Sequence, residues 1–398
     1  MPGQRDFFGP DEFLEVSDQA ETVEDIAGVD QRTVSQAVVS ATDWTTETVI
    51  SQINKGNIQL NPRFQRRDAW EPDRKSRFIE SLILGLPIPQ LVLAEVKNKR
   101  GSYIVIDGKQ RLLSIRQFAA TADDPLFSRL RLSGLSIRQD LRRLSLVDLR
   151  DDPGRSDDLA AFENQPIRTV VIKNWENEDF LYQVFLRLNT GSVPLSPQEL
   201  RQALHPGPFV EFADLASGDS PALRELLKLK RPDFRMRDAE LLIRWYAFQH
   251  FFGRYSGDLK GFLDLTCESL NDQWNDAEER VRAELDQFEA AYATAKFIFG
   301  QNVCRKWTPE GYEKPFNRAI YDVLMFYFAQ EAVRQAAAAR REDIEQAFKD
   351  LCEQNPEFLG SIERTTKSIG ATSTRFSIWA RELNRVLGLE LASPFPAA

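Results

Sequence analysis

One short segment constrains the fold of this 398-residue chain more than any other. The apolar run Tyr103–Ile106 ends abruptly in Asp107 and Gly108, and apolar residues at helical spacing begin at Leu112. Aromatic and β-branched residues favour a strand, Asp-Gly favours a tight turn, and the later spacing favours a helix. We therefore predict a strand that passes directly into a helix through a polar turn.

The turn itself, residues 107–111, reads Asp-Gly-Lys-Gln-Arg. The first turn of a helix has amide groups without intrahelical partners and the positive end of the dipole, so it suits a phosphate. Lys109 and Arg111 add positive charge, and Gly108 allows a ligand to approach the backbone closely. We interpret the segment as a nucleotide- or phosphate-binding turn; an ordinary hydrophilic strand–helix turn is the alternative. It is not a P-loop, because neither the Ser/Thr after the lysine nor the glycine-rich cradle is present.

A second candidate site is the segment Asn61–Trp70, which contains Arg63, Gln65 and Arg66. Guanidinium and amide groups suit contacts to phosphates, and aromatic rings suit contacts to bases. The same residues are equally compatible with a solvated basic loop whose two aromatic side chains anchor it in the core.

Two carboxylates are candidates for a magnesium site, Asp107 and, more weakly, Glu80. Mg²⁺ prefers oxygen ligands, although the spacing of these two residues does not require a metal. Asp107 has two further possible roles, which are to position a water molecule or to stabilise the turn through an Asx hydrogen bond.

Charge is distributed unevenly along the chain. The net charge is −9, and residues 1–48 account for all of it, with eleven acidic residues and two arginines. Residues 61–116 instead hold twelve basic and six acidic residues. We predict an acidic N-terminal tail, either solvated or acting as an arm that covers the basic site. The acidic balance argues against nonspecific coating of nucleic acid but permits a local basic site.

Composition also limits where in the cell we expect the protein and which kinds of catalytic or metal site it can form. The sequence has no apolar run of about 18 residues, so we expect no membrane span, and the N-terminus lacks the apolar core of a signal peptide. The three cysteines form no Cys-x-x-Cys pair, which fits a cytoplasmic protein. His205 and His250 are the only histidines, so few residues are available for zinc sites or histidine-based hydrolysis.

The order of the predicted elements indicates two domains after the tail. Strand patterns occur at 91–96, 103–106 and 168–173, and helical patterns at 46–55, 72–84, 112–120 and 179–188. A capping box, Ser196–Glu199, begins a further helix. After about residue 205 only helical patterns recur, at 238–252, 258–273, 276–299, 315–335, 341–353 and 375–388. We predict an α+β fold with a tail at 1–43, an α+β domain at 44–205 and an all-α domain at 206–398.

Several segments, taken in order, resemble the GmrSD-type restriction enzyme N-terminal domain family, known as domain of unknown function 262. The resemblance covers roughly residues 45–205 and implies a ParB/sulfiredoxin-like fold. The segments that carry it are Asn61–Arg66 with Trp70, Ser76–Leu82, Leu86–Pro89, Ile106–Leu112, Phe185–Gly191 and Leu195–Arg201.

The resemblance implies an NTP-binding, often NTP-hydrolysing module in bacterial defence against foreign DNA. The family's Asp-Gly-Gln-Gln-Arg signature corresponds to residues 107–111, where Lys109 replaces the first glutamine. By this resemblance Gly108 and Lys109 would contact the phosphates, and Asp107, Gln110 and Arg111 would act in catalysis.

Other residues take supporting roles in this interpretation. Arg63, Gln65 and Arg66 would line the same pocket, and Arg187 and Asn189 would support it from the far side of the domain. NTP is the expected ligand, and Mg²⁺ is a candidate cofactor.

The leading hypothesis is a nucleotide-dependent component of a bacterial DNA restriction or anti-phage system. Its helical half would sense DNA or a partner protein, and a partner nuclease would supply cleavage. Many family members add an HNH-like nuclease with a histidine-containing motif, but neither His205 nor His250 lies in such a motif, so we do not expect that activity here. The alternative is a DNA- or partner-binding regulator that keeps the fold without turnover.

Overall fold

The computed structural model describes residues 37–60, 67–188, 196–364 and 366–395, which divide into two compact units. The first unit extends to Leu204 and also includes Arg231–Met236. The second comprises His205–Lys230 and the chain from Arg237 onward. The assignment of Arg231–Met236 to the first unit has no counterpart in the sequence patterns.

The first unit is built on a four-stranded mixed sheet with the order β1-β4-β2-β3. Strand β4 is antiparallel to β1 and parallel to β2, and β2 is antiparallel to β3. The strands are β1 (Val38–Thr45), β2 (Leu91–Glu95), β3 (Tyr103–Asp107) and β4 (Pro166–Lys173). The helices are α1 (Thr46–Asn54), α2 (Pro72–Ile83), α3 (Lys109–Phe118), α4 (Leu146–Asp151), α5 (Ser156–Asn164), α6 (Glu178–Leu188) and α7 (Pro197–Leu204).

Strands β2 and β3 are buried on both faces, and their successive side chains point to opposite sides of the sheet. Leu91, Leu93 and Val105 join the core formed with helices α1 to α5. Val92 and Ile104 join a second core formed with α6 and α7. The two cores fix the position of β3, and therefore fix the point at which α3 begins.

The predicted tail boundary at residue 43 falls within strand β1. Residues 38–45 form β1, an edge strand that pairs with β4 along its whole length. Most of its residues are exposed, including Val38 and Val39, so no apolar alternation marks the strand in the sequence. Residues 1–36, and with them the proposed acidic arm, lie outside the described residues.

The second unit is helical, as predicted, apart from one short hairpin. Its helices are α8 (Pro208–Asp219), α9 (Pro221–Leu226), α10 (Arg237–Phe251), α11 (Leu259–Asp272), α12 (Trp274–Phe299), α13 (Arg318–Phe328), α14 (Glu331–Ala337), α15 (Arg341–Gln354), α16 (Pro356–Glu363) and α17 (Ile369–Leu387). The hairpin pairs β5 (Trp307–Thr308) with β6 (Gly311–Tyr312). Among the described residues, no helix combines the length and the apolar character needed to span a bilayer.

Candidate functional site

The predicted phosphate-binding turn lines a cavity in the first unit. Helix α3 begins at Lys109, directly after β3 and Gly108, as the sequence predicts. The cavity has a volume of about 330 Å³, at the lower end of the range of roughly 300–1,000 Å³ typical of small-molecule sites. It is lined by Ala69, Trp70, Arg74, Arg77, Phe78, Ser81, Pro89, Asp107, Gly108, Lys109, Gln110, Arg111, Glu199 and Phe234.

Gly108 is required by both its backbone conformation and its surroundings. Its φ angle is +102°, a value that residues with a side chain rarely adopt. A Cβ atom at this position would overlap Cδ2 of Leu91 and lie 3.3 Å from Nε of Arg111. The absence of a side chain thus lets the guanidinium group of Arg111 lie against the backbone where α3 begins.

The two cations of the turn are balanced by carboxylates. Lys109 forms an ion pair with Glu199, and both side chains are only 5% exposed. Arg111 pairs with Asp107 at 2.7 Å, and these side chains are 7% and 29% exposed. The turn therefore does not carry the excess positive charge that its sequence suggests.

Glu199 has two roles, only one of which the sequence predicts. Its Oε2 atom accepts a hydrogen bond from the Ser196 amide at 2.8 Å, while Oγ of Ser196 accepts from the Glu199 amide at 3.1 Å. These two bonds confirm the capping box at the start of α7. Its Oε1 atom accepts from Lys109, so the same side chain joins the beginning of α7 to the beginning of α3.

Unbalanced positive charge comes instead from α2. Arg74 and Arg77 both line the cavity, and neither forms an ion pair with a carboxylate in the described part of the chain. The guanidinium group of Arg74 lies 4.7 Å from the centre of the Trp70 ring. Burial, together with the charge of Arg77, lowers the pKa of Arg74. An anion between the two groups would relieve their mutual repulsion.

Two buried N–H groups at the cavity have no hydrogen-bond partner among the described residues. They are Nε1 of Trp70 and Nε of Arg111. Unpaired buried donors are uncommon and costly in folded proteins. Both donors are therefore suited to a ligand that carries acceptor oxygens.

Gln110 connects the first turn of α3 to the opposite wall. Its Oε1 atom and Oδ1 of Asp68 each lie 3.3 Å from the Trp70 amide, which donates to both. Lys75 contacts the other Asp68 oxygen and donates to Gln117 at 2.6 Å. This network fixes Trp70 relative to both ends of α3, which gives Gln110 at least a positioning role.

Glu80 does not line the cavity, and the structure gives it a different role. Its carboxylate accepts hydrogen bonds from the amides of Ser136, Ile137 and Arg138 at 3.0, 2.7 and 2.6 Å. Burial alone would raise its pKa, but these three amides and the charge of Arg77 lower it. We therefore do not retain Glu80 as a metal ligand. No group of three or more His, Cys, Asp or Glu residues in the described ranges is arranged to hold a metal ion.

Of the remaining predicted site residues, the structure describes only Arg187. Arg63, Gln65, Arg66 and Asn189 fall outside the described residues, so their proposed roles stay predictions. Arg187 is exposed in the last turn of α6 and does not line the cavity.

Sequence reasoning missed several lining residues, some of which had a readable signal. Arg74, Arg77, Phe78 and Ser81 are spaced i, i+3, i+4 and i+7, which places them along one side of α2. That stripe lies just after the basic segment and could have been linked to it. Phe234 gave no such signal, because only the tertiary structure brings it to the cavity.

Fold and site together define the first unit as an α+β domain with a cavity where a strand meets a helix. Residues 46–206 match the family described as GmrSD restriction endonuclease, N-terminal domain. This match confirms the resemblance over that part of the chain and points to a component of a restriction or defence system. No curated protein and no solved structure matches the chain.

Replacing Gly108 tests the close fit at the turn. We expect Gly108→Ala to lower the free energy of unfolding by about 2–4 kcal/mol, because the new methyl group combines backbone strain with an overlap against Leu91. Gly101→Ala is the matched control, since Gly101 also has a positive φ, +79°, but open space around it. The control should cost only about 1 kcal/mol. Equal losses in urea denaturation would contradict the proposed packing.

Proposed function

We propose that the cavity binds a nucleoside triphosphate and that the chain is a nucleotide-dependent component of a bacterial DNA restriction or anti-phage system. The phosphates would lie between the first turn of α3 and the guanidinium groups of Arg74 and Arg77. One observation carries the proposal. Trp70 and Arg111, which each carry an unpartnered buried donor, line one cavity at a helix N-terminus together with the unbalanced pair Arg74 and Arg77.

The apolar part of the cavity supports a nucleotide over a simple phosphate. Trp70, Phe78 and Phe234 contribute aromatic rings to the lining, and such rings provide flat surfaces for a base. The ring of Trp70 is packed edge-on against Phe78 at 5.8 Å, so this wall is already in place without a ligand.

We also propose that the bound nucleotide is hydrolysed. Asp107 is the carboxylate that would hold Mg²⁺, since it lines the cavity and is the most exposed of the paired side chains described above. Mg²⁺ would neutralise phosphate charge. Arg111 would stabilise charge that develops on the transferred phosphoryl group, and Gln110 would keep Trp70 in place.

A regulator without turnover is the second candidate, and one observation favours it. Both acidic side chains of the cavity, Asp107 and Glu199, are already engaged with cations. In either case the helical unit would sense DNA or a partner protein, and a partner nuclease would perform cleavage.

Removing the two α2 arginines tests the phosphate site. We expect Arg74→Ala/Arg77→Ala to weaken NTP binding by roughly 10- to 100-fold, because each charge-assisted hydrogen bond is worth about 1.5 kcal/mol or more. Binding is measured by calorimetry and thermal shift with ATP, GTP, CTP and UTP in turn, each with Mg²⁺.

Lys55→Ala/Arg142→Ala is the matched control for that variant. It removes the same charge from the first unit at two exposed positions away from the cavity, and it should bind as the unaltered chain does. Absence of any NTP-dependent shift in the unaltered chain would refute nucleotide binding. A shift that persists in the arginine variant would refute the placement of the phosphates.

A substitution at Glu199 should have the opposite effect of the arginine variant, because it should increase the stabilisation by NTP. Glu199→Gln keeps a capping-box residue at this position but removes the carboxylate charge that pairs with Lys109. The variant should be less stable without ligand, because breaking a buried ion pair by neutralising one member is costly. Its stabilisation by NTP should be larger than that of the unaltered chain, as measured by thermal shift. A smaller shift would show that Glu199 contributes to binding rather than opposing it.

Asp107→Asn separates hydrolysis from binding. We expect phosphate release to fall by at least about 100-fold, while a nonhydrolysable NTP still stabilises the variant. Loss of both would indicate a damaged fold, which circular dichroism would detect. If the unaltered chain binds NTP but releases no phosphate from any of the four, the regulator is the correct function.

A further inference from the structure

A second cavity lies at the tip of the β2–β3 hairpin, also within the first unit. Its volume is about 670 Å³, and its lining is dominated by polar and basic side chains. The end of strand β4 contributes the other wall. The lining residues are Glu95, Val96, Lys97, Asn98, Lys99, Arg100, Asn174 and Trp175.

Positive charge is concentrated at this tip. Lys97, Lys99 and Arg100 are all exposed, and in the described part of the chain no carboxylate lies within ion-pair distance of any of them. The nearby carboxylate of Glu95 accepts a hydrogen bond from the Gly101 amide at 2.9 Å. The hairpin therefore offers three cations within four consecutive residues.

Hydrogen bonds and side-chain packing hold this surface in a defined arrangement. The Lys97 ammonium donates to the carbonyl oxygen of Glu176 at 2.6 Å and lies 4.5 Å from the centre of the Trp175 ring. Nε1 of Trp175 donates to the carbonyl oxygen of Glu95 at 2.7 Å, which ties the wall from β4 to the hairpin. Asn98 has a positive φ angle of 59°, as expected for a residue in a tight turn.

We propose that this hairpin surface, residues 97–100 with Asn174, binds the phosphate backbone of DNA. Lysine and arginine side chains beside amides are the groups that contact phosphates. Trp175 is buried under Lys97, so the surface presents no aromatic face on which a base could stack. The contact is therefore to the backbone and independent of sequence. The choice of DNA as the polyanion rests on the proposed role in restriction. The expectation that the surface binds phosphate groups rests only on its side chains.

The hairpin surface is separate from the nucleotide cavity. Gly101 and Asp107 lie at opposite ends of β3, about 20 Å apart at the rise of an extended strand. Each site can therefore be altered without touching the other. Failure of one proposal leaves the other standing.

The test is the triple variant Lys97→Ala/Lys99→Ala/Arg100→Ala in the full chain. Binding to a labelled 30-base-pair duplex is measured by fluorescence anisotropy between 50 and 200 mM salt. Loss of three phosphate contacts should weaken binding at least tenfold near 100 mM salt and reduce the slope of log affinity against log salt by about 2.7. The variant should keep the circular dichroism spectrum and the melting temperature of the unaltered chain, which shows that it is folded.

The control is Lys55→Ala/Arg142→Ala/Arg168→Ala, which removes three exposed cations from the first unit away from the hairpin surface. It should bind DNA as the unaltered chain does. The proposal is overturned if the unaltered chain does not bind the duplex, if the hairpin variant binds it normally, or if both triple variants lose affinity equally. Binding of polyglutamate in place of DNA would also overturn it and indicate an acidic protein partner.

Discussion

The site depends on the packing of Gly108 against Leu91. Strand β3 is buried on both faces, so its end cannot shift, and α3 begins one residue later. Only a residue without a side chain fits between Leu91 and the guanidinium group of Arg111 at this turn. The residues of the first turn of α3 therefore line the cavity. The proposed contact between phosphates and the helix N-terminus depends on that placement.

Electrostatic balance explains how such a site coexists with a stable fold. Buried charges are costly unless paired, and Lys109 and Arg111 are each paired with a carboxylate. The cations that remain unbalanced, Arg74 and Arg77, belong to a different element and are less enclosed. The cavity lining thus carries a net positive charge, while the buried cations Lys109 and Arg111 are each compensated by a carboxylate.

Local signals in the sequence predicted local structure well. The strand, turn and helix around residues 103–118 and the capping box at Ser196 are found where their residue types place them, because turn and cap preferences act over a few residues. Strand β1 was missed, since an exposed edge strand has no apolar alternation. The resemblance to the restriction endonuclease family over residues 46–206 is confirmed, while the ParB/sulfiredoxin-like fold stays a prediction.

The assembly of the site was less predictable, because it depends on contacts between distant parts of the chain. Nothing near Lys109 in sequence indicates that Glu199 neutralises it, and Glu80 appeared suitable for a metal until its amide partners were known. The most direct test of the nucleotide site is a crystal structure with a nonhydrolysable NTP. The account predicts phosphate oxygens within hydrogen-bond distance of the α3 amides and Nε of Arg111. A nucleotide bound elsewhere, with this cavity unchanged, would contradict it.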